Sequence, residues 1–170
     1  MKKNMTDLKT TTLREEKILS WDEVHEITEI LARVIKRDYK PDVVISIASG
    51  GLVPGKLLKE MLDVKIMGVI SAHYYDKKVR RNECVVEKIL SGFVPKHADY
   101  KILLVDDIVE TGVTFQEVLK ILPELLGHGE WKIKTVALLK KPQAKFEPDY
   151  YAMEADEWII FPWELEEVSN

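Results

Sequence analysis

Ten residues, Val105 to Thr114, concentrate the chemistry of this chain: Val-Asp-Asp-Ile-Val-Glu-Thr-Gly-Val-Thr. The carboxylates of Asp106, Asp107 and Glu110 follow directly on the apolar run Ile102-Leu103-Leu104-Val105, which reads as a buried strand with the acids at its very end. Carboxylates this close repel one another, and burial makes each charge more costly. Something outside the chain is therefore expected to compensate them. A vicinal diol supplies hydrogen-bond donors, and Mg²⁺ supplies charge. Thr111-Gly112-Val113-Thr114 then turns from the strand into a helix. Unpaired N–H groups at a helix start, helped by the macrodipole and two threonine hydroxyls, suit an anion, and phosphate is the natural guest. The plain alternatives are a capped helix after a glycine turn and a solvated acidic strand end.

Four further stretches stand out. Ser49-Gly50-Gly51 opens a glycine-rich turn, Ala-Ser-Gly-Gly-Leu-Val-Pro-Gly, behind the apolar run Val43-Val44-Ile45-Ser46-Ile47. His73-Tyr74-Tyr75-Asp76-Lys77-Lys78-Val79-Arg80-Arg81 is aromatic, then strongly basic, without periodicity. Lys140-Lys141-Pro142 follows another apolar run, and the tail carries Glu157-Trp158-Ile159-Ile160-Phe161-Pro162-Trp163-Glu164. Taken alone, the basic run is a solvated loop, Lys141 a surface charge, and Trp158 with its isoleucines part of a core.

The elements needed to position these residues can be read from periodicity. Ser20 and Glu23 form a capping-box pair ahead of Trp21, Val24, Thr28, Leu31, Val34 and Ile35, which recur at helical spacing. Continuous apolar strands are predicted over 43–47, 64–71, 101–105 and 133–139, with a short one at Cys84-Val85-Val86. Helices are predicted over 56–62 and 114–126, the latter stopped by Gly127 and Gly129. Such alternation predicts an α/β fold, with a mainly parallel central sheet and helices on both faces. Ligands in these sheets bind beyond the carboxyl ends of the strands, so 48–51, 75–81 and 106–114 are expected on one edge.

Bulk properties narrow the function classes. The chain has 170 residues, 46% hydrophobic and 32% charged, with a net charge of −4. It is expected to form one domain over 13–170 after a flexible polar segment, 1–12. A negative net charge gives no reason to expect a nucleic-acid partner. The single Cys84 excludes an internal disulfide and suits a reducing compartment. With neither a signal-type apolar region near the start nor a run approaching the ~20 apolar residues needed to span a bilayer, a soluble cytoplasmic protein without membrane association is expected.

The pattern of two hydrophobic residues, two acids, two hydrophobic residues, an acid and Thr-Gly-x-Thr resembles the phosphoribosyl pyrophosphate (PRPP) signature of type I phosphoribosyltransferases. The resemblance covers most of the chain and is nearest the microbial xanthine-guanine and hypoxanthine enzymes. It implies that fold, with a small hood formed by terminal segments, base-binding mainly from about 141–170. It also implies a Mg²⁺-dependent transfer from PRPP to a free purine in salvage, with guanine, hypoxanthine or xanthine as acceptor. By that resemblance Asp106 and Asp107 hold the ribose hydroxyls, with Asp107, or Asp106 beside it, assisting Mg²⁺. Thr111, Gly112, Val113 and Thr114 hold the 5′-phosphate, and Ser49, Gly50 and Gly51 hold pyrophosphate. Tyr75, Lys77, Lys78, Arg80 and Arg81 belong to a loop closing over the reaction centre. Lys141 meets the 6-oxo group, Trp158 stacks on the base, and Ile159 adds backbone contacts. Pro162 and Trp163 are read as packing.

Two positions depart from the family: Ser49 stands where a basic residue is usual, and Glu110 where an Asp shares the N7 proton. The resemblance also implies a homodimer or homotetramer. Adenine or another base as acceptor, and a PRPP-sensing transcriptional regulator on the same fold, are the alternatives. A receiver domain carries paired aspartates too, but after its first strand and without a phosphate-type turn.

Overall fold

The computed structural model describes residues 15–74, 84–92 and 99–164. The expected flexible segment 1–12 and the loop residues Tyr75, Lys77, Lys78, Arg80 and Arg81 lie outside this set.

Eight strands and three helices follow one another as β1 (Glu16–Ile18), α1 (Trp21–Asp38), β2 (Val43–Ala48), α2 (Leu52–Met61), β3 (Ile66–Tyr74), β4 (Cys84–Ser91), β5 (Lys101–Val109), α3 (Val113–Leu126), β6 (Lys132–Lys140), β7 (Met153–Glu154) and β8 (Trp158–Ile160). Six of the strands form one sheet in the order β4-β3-β2-β5-β6-β7. All its pairings are parallel except β3 with β4 at one edge. Separately, β1 pairs in parallel with β8, joining the two ends of the described chain. That pair is built from the terminal segments from which a small hood is expected.

The continuous apolar runs are explained by helices on both faces. Val44, Leu103, Val105, Val136 and Leu138 pack toward α1 and α2 with Ile159 and Phe161 of the tail. Their strand neighbours Val43, Ile45, Ile102, Leu104 and Ala137 face the other way, onto Phe115, Val118, Leu122 and Leu126 of α3. Helix α1 begins at the predicted capping box: Ser20 Oγ accepts from the Glu23 N–H at 3.2 Å, and the Glu23 carboxylate accepts from the Ser20 N–H at 2.8 Å. Thr28, on the buried face, donates its hydroxyl to the Val24 carbonyl at 2.7 Å.

Several boundaries differ from those read in the sequence. Helix α2 starts at Leu52, not at 56, because Pro54 falls in its first turn, where the missing N–H has no intrahelical partner to lose. Gly55 is inside the helix for a packing reason: a Cβ there would lie 1.8 Å from Ser46 Oγ on β2. Strand β3 runs from Ile66 to Tyr74, later than expected, and β4 extends to Ser91 as an edge strand. Most consequential is β5, which does not end at Val105. Its pairing with β2 stops at Ser46↔Val105, but its pairing with β6 continues to Val109↔Lys140. The acids are therefore held by the sheet on one side and released on the other. No helix among the described residues is long and apolar enough to cross a membrane.

Candidate active site

Beyond Val105 the place beside β5 is taken by the turn that follows β2. Gly51 N–H donates to the Ile47 carbonyl at 2.8 Å, which folds Ser49 and Gly50 back toward β5. A Cβ on Gly50 would stand 2.4 Å from Asp107 Oδ2, and one on Gly51 2.3 Å from the Val105 carbonyl. Only glycines let the turn lie this close to the acids. The Ala48–Ser49 peptide is cis, and Ser49 itself is exposed.

Asp106 and Asp107 are 8% and 9% exposed, so both carboxyls sit almost out of water. Asp106 Oδ1 accepts from the Asp107 N–H at 3.0 Å, and Asp107 Oδ1 from the Ile108 N–H at 2.7 Å. Burial, reinforced by the neighbouring Asp107 charge, pushes the Asp106 carboxyl well above the usual carboxylate range. Burial also lifts Asp107 to about 6, with Glu164 adding like-charge repulsion and the Ile108 and Trp163 N–H groups opposing both. A site that holds carboxylates at this cost suits a ligand bringing hydroxyl donors or a cation.

The anion-binding half follows at once. Gly112 adopts φ 89°, a left-handed conformation that favours glycine, and starts α3 with no side-chain cap and no acidic residue in the first turn. Thr111 Oγ1 accepts from the Val113 N–H at 3.3 Å, tightening the turn. Segment 106–115 lines a cavity of about 540 Å³. That volume lies within the roughly 300–1,000 Å³ of small-molecule sites. Glu110 is exposed between the acids and the turn, in the same lining.

The connection after β6 supports the turn from behind. Lys141 N–H donates to the Val109 carbonyl at 2.8 Å, and Lys145 N–H to the Thr111 carbonyl at 3.1 Å. A Cβ on Gly112 would collide with Phe146 at 2.0 Å, and Phe146 stacks on Phe115 with centroids 5.2 Å apart. Nothing in the sequence marked Phe146 for this work.

On the base side, Lys141 is 2% exposed, and its ammonium donates to the Glu157 carbonyl. This buried lysine is no surface charge, and its bond lies directly before Trp158. Trp158 is 49% exposed, an open ring face, while the Ile159 side chain is in the core and only its backbone is left for contact. Lys140 is locked between Glu147 and Glu154 at 2.6 and 2.9 Å. The sequence reading took Trp163 for packing. Its ring does stack on Phe161 with centroids 4.6 Å apart, and its indole Nε1 is buried.

Among the described residues no cluster of three or more His, Cys, Asp or Glu could hold a metal by itself. Two buried carboxylates do match the way Mg²⁺ is commonly held, by one or two carboxylates plus substrate oxygens and water. The donor set therefore fits Mg²⁺ arriving with a phosphorylated ligand.

A parallel sheet with a buried acid pair at a strand end, a glycine turn against it and an open helix start is the architecture of a phosphoribosyl-binding protein. The phosphoribosyl transferase domain family matches residues 18–170, and the chain belongs to that family. Among its relatives is the xanthine-guanine phosphoribosyltransferase of Desulfotalea psychrophila, 31% identical over 87% of this chain and 86% of that protein. In three dimensions it is similar to a purine phosphoribosyltransferase from Pyrococcus horikoshii, at TM-score 0.74 and 32% identity over 92% of this chain and 98% of that one. It is similar too to the xanthine-guanine-hypoxanthine phosphoribosyltransferase of Helicobacter pylori, at TM-score 0.76 and 26% identity over 89% and 95%.

Proposed function

We propose that this chain is a purine phosphoribosyltransferase, moving the 5-phosphoribosyl group of PRPP to a 6-oxopurine with release of pyrophosphate. The observation that carries this reading is one cavity lined by the buried acid pair and the uncapped start of α3, with Gly50 held against Asp107. The three relatives named above are purine enzymes, which points the same way.

In the reaction the bond from ribose C1 to pyrophosphate breaks and one from C1 to the purine N9 forms, while the base loses its N7 proton. The carboxylates of Asp106 and Asp107 accept the ribose 2′ and 3′ hydroxyls, which relieves two buried charges that lack enough donors. Thr111, Gly112, Val113 and Thr114 take the 5′-phosphate on N–H groups and hydroxyls. Backbone N–H groups of Ser49 and Gly50 receive pyrophosphate, the Gly51 N–H being held by the Ile47 carbonyl, and because these are main-chain donors a serine in place of a basic residue is tolerated. Asp107 is the residue that would hold Mg²⁺ brought with the substrate, and the ion would supply positive charge toward the leaving group. Glu110 accepts the N7 proton; its extra methylene, relative to aspartate, needs only a bent rotamer. Lys141 gives up the Glu157 carbonyl for the purine 6-oxo group, and Trp158 stacks on the ring. A buried ammonium that needs an acceptor disfavours adenine, which offers an amino group there. A cytoplasmic homodimer or homotetramer is part of the same reading.

The test is pyrophosphate release from PRPP and Mg²⁺ across guanine, hypoxanthine, xanthine and adenine. Turnover confined to 6-oxopurines, and lost in Asp107→Asn, is expected. Absence of base-dependent release with every purine would overturn it.

A further inference from the structure

We propose, resting on the PRPP reading of the cavity, that Phe146 is a positioning residue for the anion-binding turn. The loop that carries it would then set how tightly the 5′-phosphate end of PRPP is held. The turn has little to anchor it from within: Gly112 has φ 89°, no side chain caps the start of α3, and Thr111 is exposed. N–H groups that are to meet a phosphate from such a turn need their direction fixed from outside, because a misplacement of about 1 Å at a reacting site is costly.

The loop after β6 bears on the turn at three successive points. Before the glycine, the Thr111 carbonyl accepts the Lys145 N–H at 3.1 Å. At the glycine, Phe146 occupies the place of the missing side chain, its Cβ 2.0 Å and its Cα and N 3.1 Å from an ideal Gly112 Cβ. After the glycine, the Phe146 ring lies nearly parallel to Phe115, at 7° with centroids 5.2 Å apart. Phe115 is 1% exposed, sits in the first turn of α3 and lines the cavity. The ring thus ties residue 146 to α3 and presses its main chain against Gly112.

The loop is closed on itself, which makes the support stiff. Lys140 Nζ donates to Glu147 Oε2 at 2.6 Å and pairs with Glu154 Oε1 at 2.9 Å, while the Ala144 N–H donates to the Lys141 carbonyl at 3.0 Å. The Lys141 end is held separately, by the β5–β6 ladder up to Lys140 and by its own N–H on the Val109 carbonyl at 2.8 Å. Loss of the Phe146 ring should therefore loosen the phosphate end of the site and leave the base end in place.

The decisive variant is Phe146→Ala, titrated with ribose 5-phosphate and, separately, with pyrophosphate and Mg²⁺. Its dissociation constant for ribose 5-phosphate should rise about tenfold, as for loss of a charge-assisted hydrogen bond to phosphate, with that for pyrophosphate changed less than about twofold. The KM for PRPP should rise in step, and the KM for the base at saturating PRPP should not move. Phe146→Leu, which keeps an apolar side chain against Phe115, should recover most of the affinity. Leu125→Ala, near the far end of α3 in the same hydrophobic cluster, is the packing control and should lower Tm without weakening ribose 5-phosphate binding. Equal weakening of both ligands, an equal loss in Leu125→Ala, or a folded Phe146→Ala with wild-type affinity for ribose 5-phosphate would overturn the proposal. If Phe146→Ala does not fold, Glu147→Ala decides, since this exposed carboxylate can be removed without touching the core, and unaltered ribose 5-phosphate binding there would also overturn it. Wild-type protein that bound neither ribose 5-phosphate nor PRPP would sink the underlying reading and this one with it.

Discussion

Asp107→Asn is expected to stabilise the unliganded protein while removing its ability to bind PRPP. In the folded chain the Asp107 carboxyl is pushed up to about 6, against an ordinary 3.8, by burial and the Glu164 charge. In the unfolded chain it returns to the ordinary value. At pH 7.5 the group is ionised in both states, and keeping that charge buried costs about 3 kcal/mol, at roughly 1.4 kcal/mol per pH unit of displacement. As pH falls through 6, the folded state takes up a proton that the unfolded state does not bind until near 3.8. Stability therefore rises across that interval, with about 1.4 kcal/mol recovered by pH 5. Asp106 is displaced in the same direction and adds to the effect. Surface carboxylates held low, Glu147 by the Lys140 ammonium and Asp149 by the Thr135 N–H and then Lys134, work the other way, but only as pH drops below the ordinary carboxylate range. Asparagine keeps the acceptor for the Ile108 N–H and deletes the charge. Urea unfolding at pH 7.5 should therefore show Asp107→Asn more stable than wild type by about 2 kcal/mol, with a flatter dependence down to pH 5. A wild type no more stable at pH 5 than at pH 7.5, or a variant with an unaltered slope, would refute the claim that this carboxylate is held at a cost.

Gly50→Ala forces a Cβ to 2.4 Å from Asp107 Oδ2, so the turn or the carboxylate must move by about 1 Å, and kcat/KM for PRPP should fall about 100-fold. Gly127→Ala is the matching control: with φ 77° but nothing within 4 Å, it should cost about 1–3 kcal/mol of stability and leave the kinetics alone. Glu110→Gln should lower kcat by about 10²–10⁴ with PRPP affinity unchanged, and Glu110→Asp should keep most of the activity; a Gln variant within threefold of wild type would remove Glu110 as proton acceptor. Ser20→Ala breaks the capping box and should cost about 1 kcal/mol, a Tm loss of roughly 2–4 °C by calorimetry, without altering turnover.

Local chemistry determined a good part of this protein. Ser20 and Glu23 satisfy each other's backbone whatever the rest of the chain does, so the start of α1 was legible from spacing. Gly127, at φ 77°, ends α3 for an equally local reason. The apolar runs 43–47 and 133–139 declared buried parallel strands, because a strand covered on both faces has little polar side to show. The ten residues from Val105 to Thr114 announced a carboxylate pair ahead of a glycine turn into a helix, since those demands belong to the residues themselves. The glycine-rich turn reads in the sequence as running on to Gly55, whereas Pro54 and Gly55 already belong to the first turn of α2.

What only the tertiary structure decided were relations between segments distant in sequence. That β5 outruns β2 depends on where two separate strands fall in register, and this offset opens the place where Gly50 meets Asp107. The sequence shows Lys141 as a charge and Trp163 as an aromatic. The burial of the Lys141 ammonium against the Glu157 carbonyl, and of the Trp163 indole Nε1, follows from how the tail folds back over the sheet. Phe146 beneath Gly112 carried no signal at all, because a side chain that supports a turn from behind needs only the right shape at the right place. Residue type sets what chemistry a group can do, and long-range packing sets which groups do it together.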